Sequence, residues 1–214
     1  MIDLAQASLR MNGLGFGTAD AADCELQTLH PAEIAAIGEA SARRQRDYCA
    51  GRAAGHRALA ALGASDGPIV KAGRGVPRFP DGVVGSLSHS KGVAVALAAT
   101  SDRCSSVGID IELDPLPEEA AHLVLGESER GWFDRGVRSV AEAFSAKEAA
   151  FKALDPLLPE GAPPFRQMQL QPADEGFFLR LPRFVMFISV RRLAHGVLAW
   201  TTLPADRETR CRRA

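Results

Sequence analysis

Apolar residues gather in short runs along this chain, and several of the runs predict β-strands. Three such runs lie in the middle of the chain, at residues 83–88, 92–99 and 107–113. Because only short, turn-forming links separate them, they predict an antiparallel meander. Three further strands are predicted towards the end, at residues 177–181, 184–190 and 197–203.

Helical signals precede the strands of the first half. Pro31 suits the first turn of a helix. A longer helix is predicted from about residue 42 to residue 62, ended by Gly63 in the C-cap position. Residues 13–17 are glycine-rich, but they do not match GxGxxG and are interpreted as a loop.

Helical signals also precede the strands of the second half. Short helices are predicted at residues 118–125 and 127–133. A longer helix begins at Ser139, whose spacing to Glu142 matches a capping box, and continues to about Leu154. Each half thus runs from helix to antiparallel strands, which predicts an α+β fold.

Composition narrows the class of protein. The chain has 214 residues, 46% of them hydrophobic, and a net charge of −1, so no nucleic-acid partner is expected. Its four cysteines are far apart, which favours a reducing compartment. We find no signal peptide or membrane-spanning segment, and we expect a cytoplasmic monomer without a membrane partner.

The strand at 107–113 carries an unusual pair of charges. Asp110 and Glu112 emerge on one face of the strand, whereas Ile109 and Ile111 point to the other. Two carboxylates about 7 Å apart repel each other unless a cation or a base lies between them. Taken alone, the pair is equally well explained as a solvated strand end.

The helix that begins at Ser139 changes this interpretation. Lys147 falls within its apolar stripe and needs a partner, while Glu148 and Lys152 lie at the margin with i, i+4 spacing. Glu148, Asp110 and Glu112 together would offer three carboxylates without clustered Cys or His. Such an oxygen-only set suits Mg²⁺.

A further group of residues suits an anion. Arg44 and Arg52 share one side of the first long helix, where the simplest explanation is a solvated basic face. Ser88 and His89 crowd a tight connection, yet no GxSxG supports a serine nucleophile. Together with Arg74, these residues favour a phosphate pocket.

Four ordered motifs give the chain a family resemblance. They are GRGVP at 73–77, GSLSH at 85–89, VGIDIE at 107–112, and FSAKE at 144–148 followed by Lys152. This set resembles that of the 4′-phosphopantetheinyl transferase superfamily of the Sfp and EntD type, which usually has Trp where Phe144 stands. The resemblance implies a pseudo-dimer of two similar α+β halves, at residues 1–106 and 107–214, with the active site in the cleft between them.

The implied activity is transfer of the 4′-phosphopantetheine group of coenzyme A to a serine of an apo acyl or peptidyl carrier protein, with release of adenosine 3′,5′-bisphosphate. By position, Asp110, Glu112 and Glu148 would bind Mg²⁺. Glu148 and Lys152 would be catalytic, and Lys147 would contact the substrate more peripherally.

Coenzyme A, the implied co-substrate, would lie against the first half. The resemblance implies that Arg44 and Arg52 hold its 3′-phosphate and that Arg74 lies near the nucleotide. Ser88 and His89 would contact its phosphates, together with Lys152.

The carrier protein and its pathway stay open: fatty acid, polyketide, nonribosomal peptide or siderophore. Apolar residues at 116–133 are expected to dock the carrier, with Arg130, Arg135 and Arg138 facing its acidic side. Two alternatives are a metal-dependent phosphodiesterase that uses the same carboxylates and a non-catalytic coenzyme A binding protein.

Overall fold

A computed structural model describes residues 13–114, 116–181 and 184–205. The helices are α1 (Pro31–Ile37), α2 (Ala42–Leu62), α3 (Ala121–Val124), α4 (Glu127–Phe133) and α5 (Val140–Leu154). The strands are β1 (Gly15–Asp20), β2 (Val70–Lys71), β3 (Pro77–Arg78), β4 (Val83–Ser90), β5 (Val93–Thr100), β6 (Cys104–Glu112), β7 (Gln169–Ala173), β8 (Gly176–Leu181), β9 (Phe184–Leu193) and β10 (Gly196–Pro204).

The strands form two main antiparallel sheets. The first sheet has the order β1-β5-β4, the second has the order β6-β10-β9-β8-β7, and β2 and β3 form a separate pair. The predicted meander is therefore wrong: β4 and β5 form a hairpin, but β6 belongs to the second sheet. The second edge of β5 is occupied by β1, and β6 pairs with β10 instead.

The glycine-rich segment interpreted as a loop contains strand β1. A Cβ atom at Gly15 would lie 2.0 Å from the Ala58 carbonyl oxygen, and one at Gly17 would lie 2.0 Å from that of Ala54. Glycine is needed here because β1 lies directly against the backbone of α2. These glycines hide the apolar alternation by which strands are usually predicted.

The helices and sheets stack in four layers: α2, the first sheet, the second sheet and α5. One face of β5 packs against alanines of α2, through Ala94, Ala96 and Ala98. Its other face packs against β6 and β10, through Val95, Leu97 and Ala99. The second sheet in turn buries its far face against α5. The α+β prediction is confirmed, with one long helix packed on an antiparallel sheet in each half.

Local capping signals fix the ends of the two long helices. Gly63 ends α2 in the left-handed region, at φ 71°. Ser139 and Glu142 form the predicted capping box at the start of α5. The predicted boundary between residues 106 and 107 falls inside β6, and this division into domains stays a prediction. Among the described residues, no helix combines the length and apolar character needed to cross a bilayer.

Candidate active site

The two halves meet where β4 and β6, each at the end of its sheet, run side by side. Alternate residues of β4 are serines. Ser86 Oγ accepts a hydrogen bond from the Ile109 N–H at 3.2 Å, and Ser90 Oγ accepts one from the Leu113 N–H at 3.0 Å. These hydroxyls take the place of main-chain acceptors, so side chains of one half satisfy the backbone of the other.

We call the contact between β4 and β6 the seam. Asp110 is buried there, and its carboxylate accepts hydrogen bonds from side chains of both halves. Its Oδ1 accepts hydrogen bonds from Ser88 Oγ and from Lys152 Nζ, both at 2.8 Å. Its Oδ2 accepts one from Ser145 Oγ, also at 2.8 Å. Ser145 was not among the predicted site residues, although its i, i+7 spacing to Lys152 places both on one side of α5.

Glu112 and Glu148 complete the predicted set of carboxylates. Glu112 is half-buried, and its Oε1 accepts hydrogen bonds from Ser90 Oγ at 2.9 Å and from the Asp114 N–H at 2.7 Å. Glu148 is also half-buried, with its Oε2 4.0 Å from Lys152 Nζ. Burial raises the pKa of Glu148; Lys152 opposes this rise, and the charges of Asp110 and Glu112 add to it.

Gly108 lets α5 come this close to β6. A Cβ atom there would lie 1.9 Å from the Ala149 carbonyl oxygen and 3.0 Å from the Ala153 nitrogen. The glycine therefore fixes how near Glu148 and Lys152 stand to Asp110.

The carboxylates have the chemistry of a site for a hard cation. Within the described residues, no group of three His, Cys, Asp or Glu side chains is arranged closely enough to hold a metal ion. The charges of Asp110 and Glu112 nevertheless act on Glu148, and the three side chains offer only oxygen ligands. Burial is the main cause of the raised pKa of Glu148, and the charges of Asp110 and Glu112 add to it; a divalent cation bound among the three carboxylates would offset their repulsion. This donor set fits Mg²⁺.

Lys147 lies away from the seam. Its ammonium is fully buried and binds Glu129 Oε2 at 2.6 Å and the carbonyl oxygens of Val124 and Phe165 at 2.8 and 2.9 Å. Burial lowers the pKa of Lys147, and Glu129 opposes this change. The expected need for a partner is met inside the protein, so a contact between Lys147 and the substrate does not fit this structure.

A cationic pocket of about 200 Å³ lies on the other side of Ser88. Its lining has three cations, Arg44, Arg52 and Lys71, against one carboxylate, Asp47, and it also includes Tyr48, Ser88 and His89. The structure thus brings together four of the predicted anion-binding residues, and it adds Tyr48 and Lys71. The side chain of Arg74 lies outside the described residues.

Two residues that line this pocket each have a buried polar atom without a hydrogen-bond partner among the described residues. The Arg52 guanidinium lies 4.2 Å from the centre of the Tyr48 ring, in the geometry of a cation–π contact. Arg52 Nε and the Tyr48 hydroxyl are both buried, and neither has a hydrogen-bond partner among the described residues. A ligand that accepts hydrogen bonds would satisfy them.

A larger pocket, of about 700 Å³, lies elsewhere in the second half, near Arg138 and Arg192. Glu142 accepts hydrogen bonds from both guanidiniums at 2.9 Å, and Arg138 also donates to the Asp174 carbonyl oxygen at 2.7 Å. These cations are therefore engaged within the protein. Arg138 is bound within the protein, and its contact with a carrier stays a prediction.

Comparison with known proteins agrees with the motif resemblance. Residues 32–99 match the 4′-phosphopantetheinyl transferase N-terminal domain, and residues 106–194 match the 4′-phosphopantetheinyl transferase superfamily. Together these matches cover most of the chain, which belongs to the 4′-phosphopantetheinyl transferase superfamily.

Individual relatives carry the same family name. The chain is 37% identical to 4′-phosphopantetheinyl transferase Svp of Streptomyces mobaraensis, over 64% of this chain and 59% of that protein. It is 40% identical to 4′-phosphopantetheinyl transferase Npt of Nocardia iowensis, over 60% of each chain. The chain thus spans about three fifths of these relatives. A holo-[acyl-carrier-protein] synthase structure from Thermotoga maritima aligns at 25% identity with a TM-score of 0.38, over 50% of this chain and 73% of that one.

Proposed function

We propose that the protein transfers the 4′-phosphopantetheine group of coenzyme A to a serine of an apo carrier protein. The observation that carries the proposal is the position of Ser88. This residue lines the cationic pocket and also donates a hydrogen bond to Asp110. A phosphate ester bound in the pocket would thus extend directly towards the carboxylates and Lys152.

The pocket would bind the nucleotide end of coenzyme A. Arg44 and Arg52 would hold the 3′-phosphate, and Arg52 would gain the partner that its buried Nε lacks within the described structure. Lys71 and His89 line the same pocket and would face the remaining phosphates. Guanidinium groups suit this task because they bind phosphate oxygens in pairs. The contact predicted for Arg74 stays a prediction.

Asp110, Glu112 and Glu148 would hold Mg²⁺. When bound, this cation would offset negative charge on the pyrophosphate oxygens. Lys152 Nζ lies 2.8 Å from Asp110 Oδ1 and 4.0 Å from Glu148 Oε2, and its flexible side chain would let it reach the leaving phosphate and stabilise its charge. The lysine side chain is long enough to contact both the carboxylates and the leaving phosphate.

Glu148 would act as the general base. In the transfer, the carrier serine oxygen forms a bond to the β-phosphorus of the pyrophosphate, and the bond from that phosphorus to the bridging oxygen breaks. The serine proton passes to Glu148, and adenosine 3′,5′-bisphosphate leaves.

The carrier would dock on the α3–α4 segment. Leu123 is 65% exposed there, and Arg130 is an exposed cation on α4. This apolar and basic combination suits a carrier helix with an apolar patch and acidic neighbours. We further propose that the protein works as a monomer in the cytoplasm, where the free thiols of Cys24, Cys49 and Cys104 would stay reduced.

Incubation of the protein with coenzyme A, Mg²⁺ and a panel of apo carrier proteins tests the proposal. Intact-mass measurement should find one phosphopantetheine group on at least one carrier. Hydrolysis of coenzyme A without modification of any carrier would instead support a phosphodiesterase. Binding of coenzyme A without reaction would support a binding protein.

A further inference from the structure

We propose that Ser145 is a positioning residue, which fixes the Asp110 carboxylate from helix α5 so that its Oδ1 faces the seam. The inference rests on the proposed function, because it assigns Asp110 to the metal site. Ser145 Oγ lies 2.8 Å from Asp110 Oδ2 and is the hydrogen-bond donor to that oxygen among the described residues. Ser145 is itself fully buried.

Ser145 differs from the other small buried residues of α5. The other small buried residues of the helix are alanines, at Ala143, Ala146, Ala149, Ala150 and Ala153. Alanine is the better helix former, and a buried hydroxyl is costly unless it is hydrogen-bonded. The serine at this one position is therefore explained by a specific hydrogen bond, the one that its hydroxyl donates to Asp110.

The two oxygens of the Asp110 carboxylate accept hydrogen bonds from different donors. Oδ2 is held by Ser145, while Oδ1 accepts from Ser88 and Lys152. Because Ser145 and Lys152 lie two turns apart on the same side of α5, they hold Asp110 from one helix. Loss of the Ser145 hydroxyl would leave Oδ2 without this donor, so the carboxylate could pivot about the Oδ1 bonds to Ser88 and Lys152 and present a cation with a different orientation.

A metal-binding measurement tests this role separately from transfer. Mn²⁺ replaces Mg²⁺ as a paramagnetic probe, and its binding is titrated by electron paramagnetic resonance without carrier protein. Ser145→Ala should weaken Mn²⁺ binding about 10-fold or more, as is typical when a hydrogen bond to a metal ligand is lost. Ser145→Thr keeps the hydroxyl and should restore binding close to that of the wild type.

Ser86→Ala is the matched control. Ser86 is also buried, but its hydroxyl accepts a hydrogen bond from the Ile109 N–H and does not contact a carboxylate within the described structure. This variant should lose thermal stability and keep its Mn²⁺ affinity. Equal Mn²⁺ affinity of Ser145→Ala and wild type would overturn the role of Ser145, as would a wild-type protein that binds no Mn²⁺. Absence of transfer by a wild type that binds Mn²⁺ would reject the proposed function alone.

Discussion

Gly108→Ala perturbs the contact on which the candidate site is built. The added methyl group would lie 1.9 Å from the Ala149 carbonyl oxygen and 2.9 Å from its carbonyl carbon. Both atoms belong to the α5 backbone, so a change of side-chain rotamer cannot relieve the clash. Helix and strand would have to separate by more than about 1.5 Å, because heavy atoms in contact normally lie about 3.5–4.0 Å apart.

This separation has two expected consequences. Overpacking of a core costs about 1–3 kcal/mol, which for a chain of this size lowers Tm by roughly 2–12 °C. Glu148 and Lys152 would move away from Asp110 together with the helix. A displacement of about 1 Å can lower the rate of a positioned reaction about 100-fold. The rate of transfer should therefore fall about 100-fold in a protein that is still folded at the assay temperature.

Thermal unfolding and the rate of coenzyme A-dependent carrier modification together measure these effects. Gly131→Ala on α4 is the control for the stability measurement, since a Cβ atom there would meet only the tip of Arg135 at 3.6 Å. This control should be as stable as wild type or slightly more so, because alanine favours a helix. Wild-type Tm and rate in Gly108→Ala would refute the close-packing argument.

Three further substitutions probe separate parts of the molecule. Lys147→Met leaves the fully buried Glu129 without its cation, which should lower the free energy of unfolding by about 3–5 kcal/mol in denaturant titrations; an unchanged value would contradict the buried pair. His56 Nε2 lies 3.0 Å from Glu33 Oε1, and this hydrogen bond raises the pKa of His56 against the effect of burial. The resulting stability should be full below the ordinary histidine pKa of 6.5 and should be lost as pH rises through the raised value. His56→Gln should therefore flatten the decline of Tm with pH above 6.5, and an identical decline in both proteins would contradict this assignment. Glu148→Gln should slow transfer at least about 100-fold while calorimetry finds coenzyme A binding largely unchanged; retained turnover would reject Glu148 as the base.

Features set by local sequence were predictable. Gly63 and the Ser139–Glu142 pair mark helix ends because caps depend on a few neighbouring residues. Strand alternation likewise placed Asp110 and Glu112 on one face. The helical pattern of residues 139–154 brought Glu148 into the set of carboxylates, and the family resemblance then implied that all three bind Mg²⁺.

Features set by long-range packing were not predictable. The membership of β6 in the second sheet depends on its pairing with β10, which lies far along the chain. Strand β1 was not predicted because Gly15 and Gly17 do not contribute to an apolar alternation. They are glycines because α2 packs directly against them. Lys147 illustrates the same limit: its need for a partner followed from its place in the apolar stripe, but the identity of Glu129 did not.

The most direct test follows the two products of the proposed transfer in one reaction. Wild-type protein, coenzyme A, Mg²⁺ and an apo carrier should yield one phosphopantetheine group on a single carrier serine, mapped by tandem mass spectrometry. Adenosine 3′,5′-bisphosphate should appear in equal amount, and a carrier with that serine replaced by alanine should stay unmodified. Release of the bisphosphate while the carrier mass stays unchanged would contradict the account.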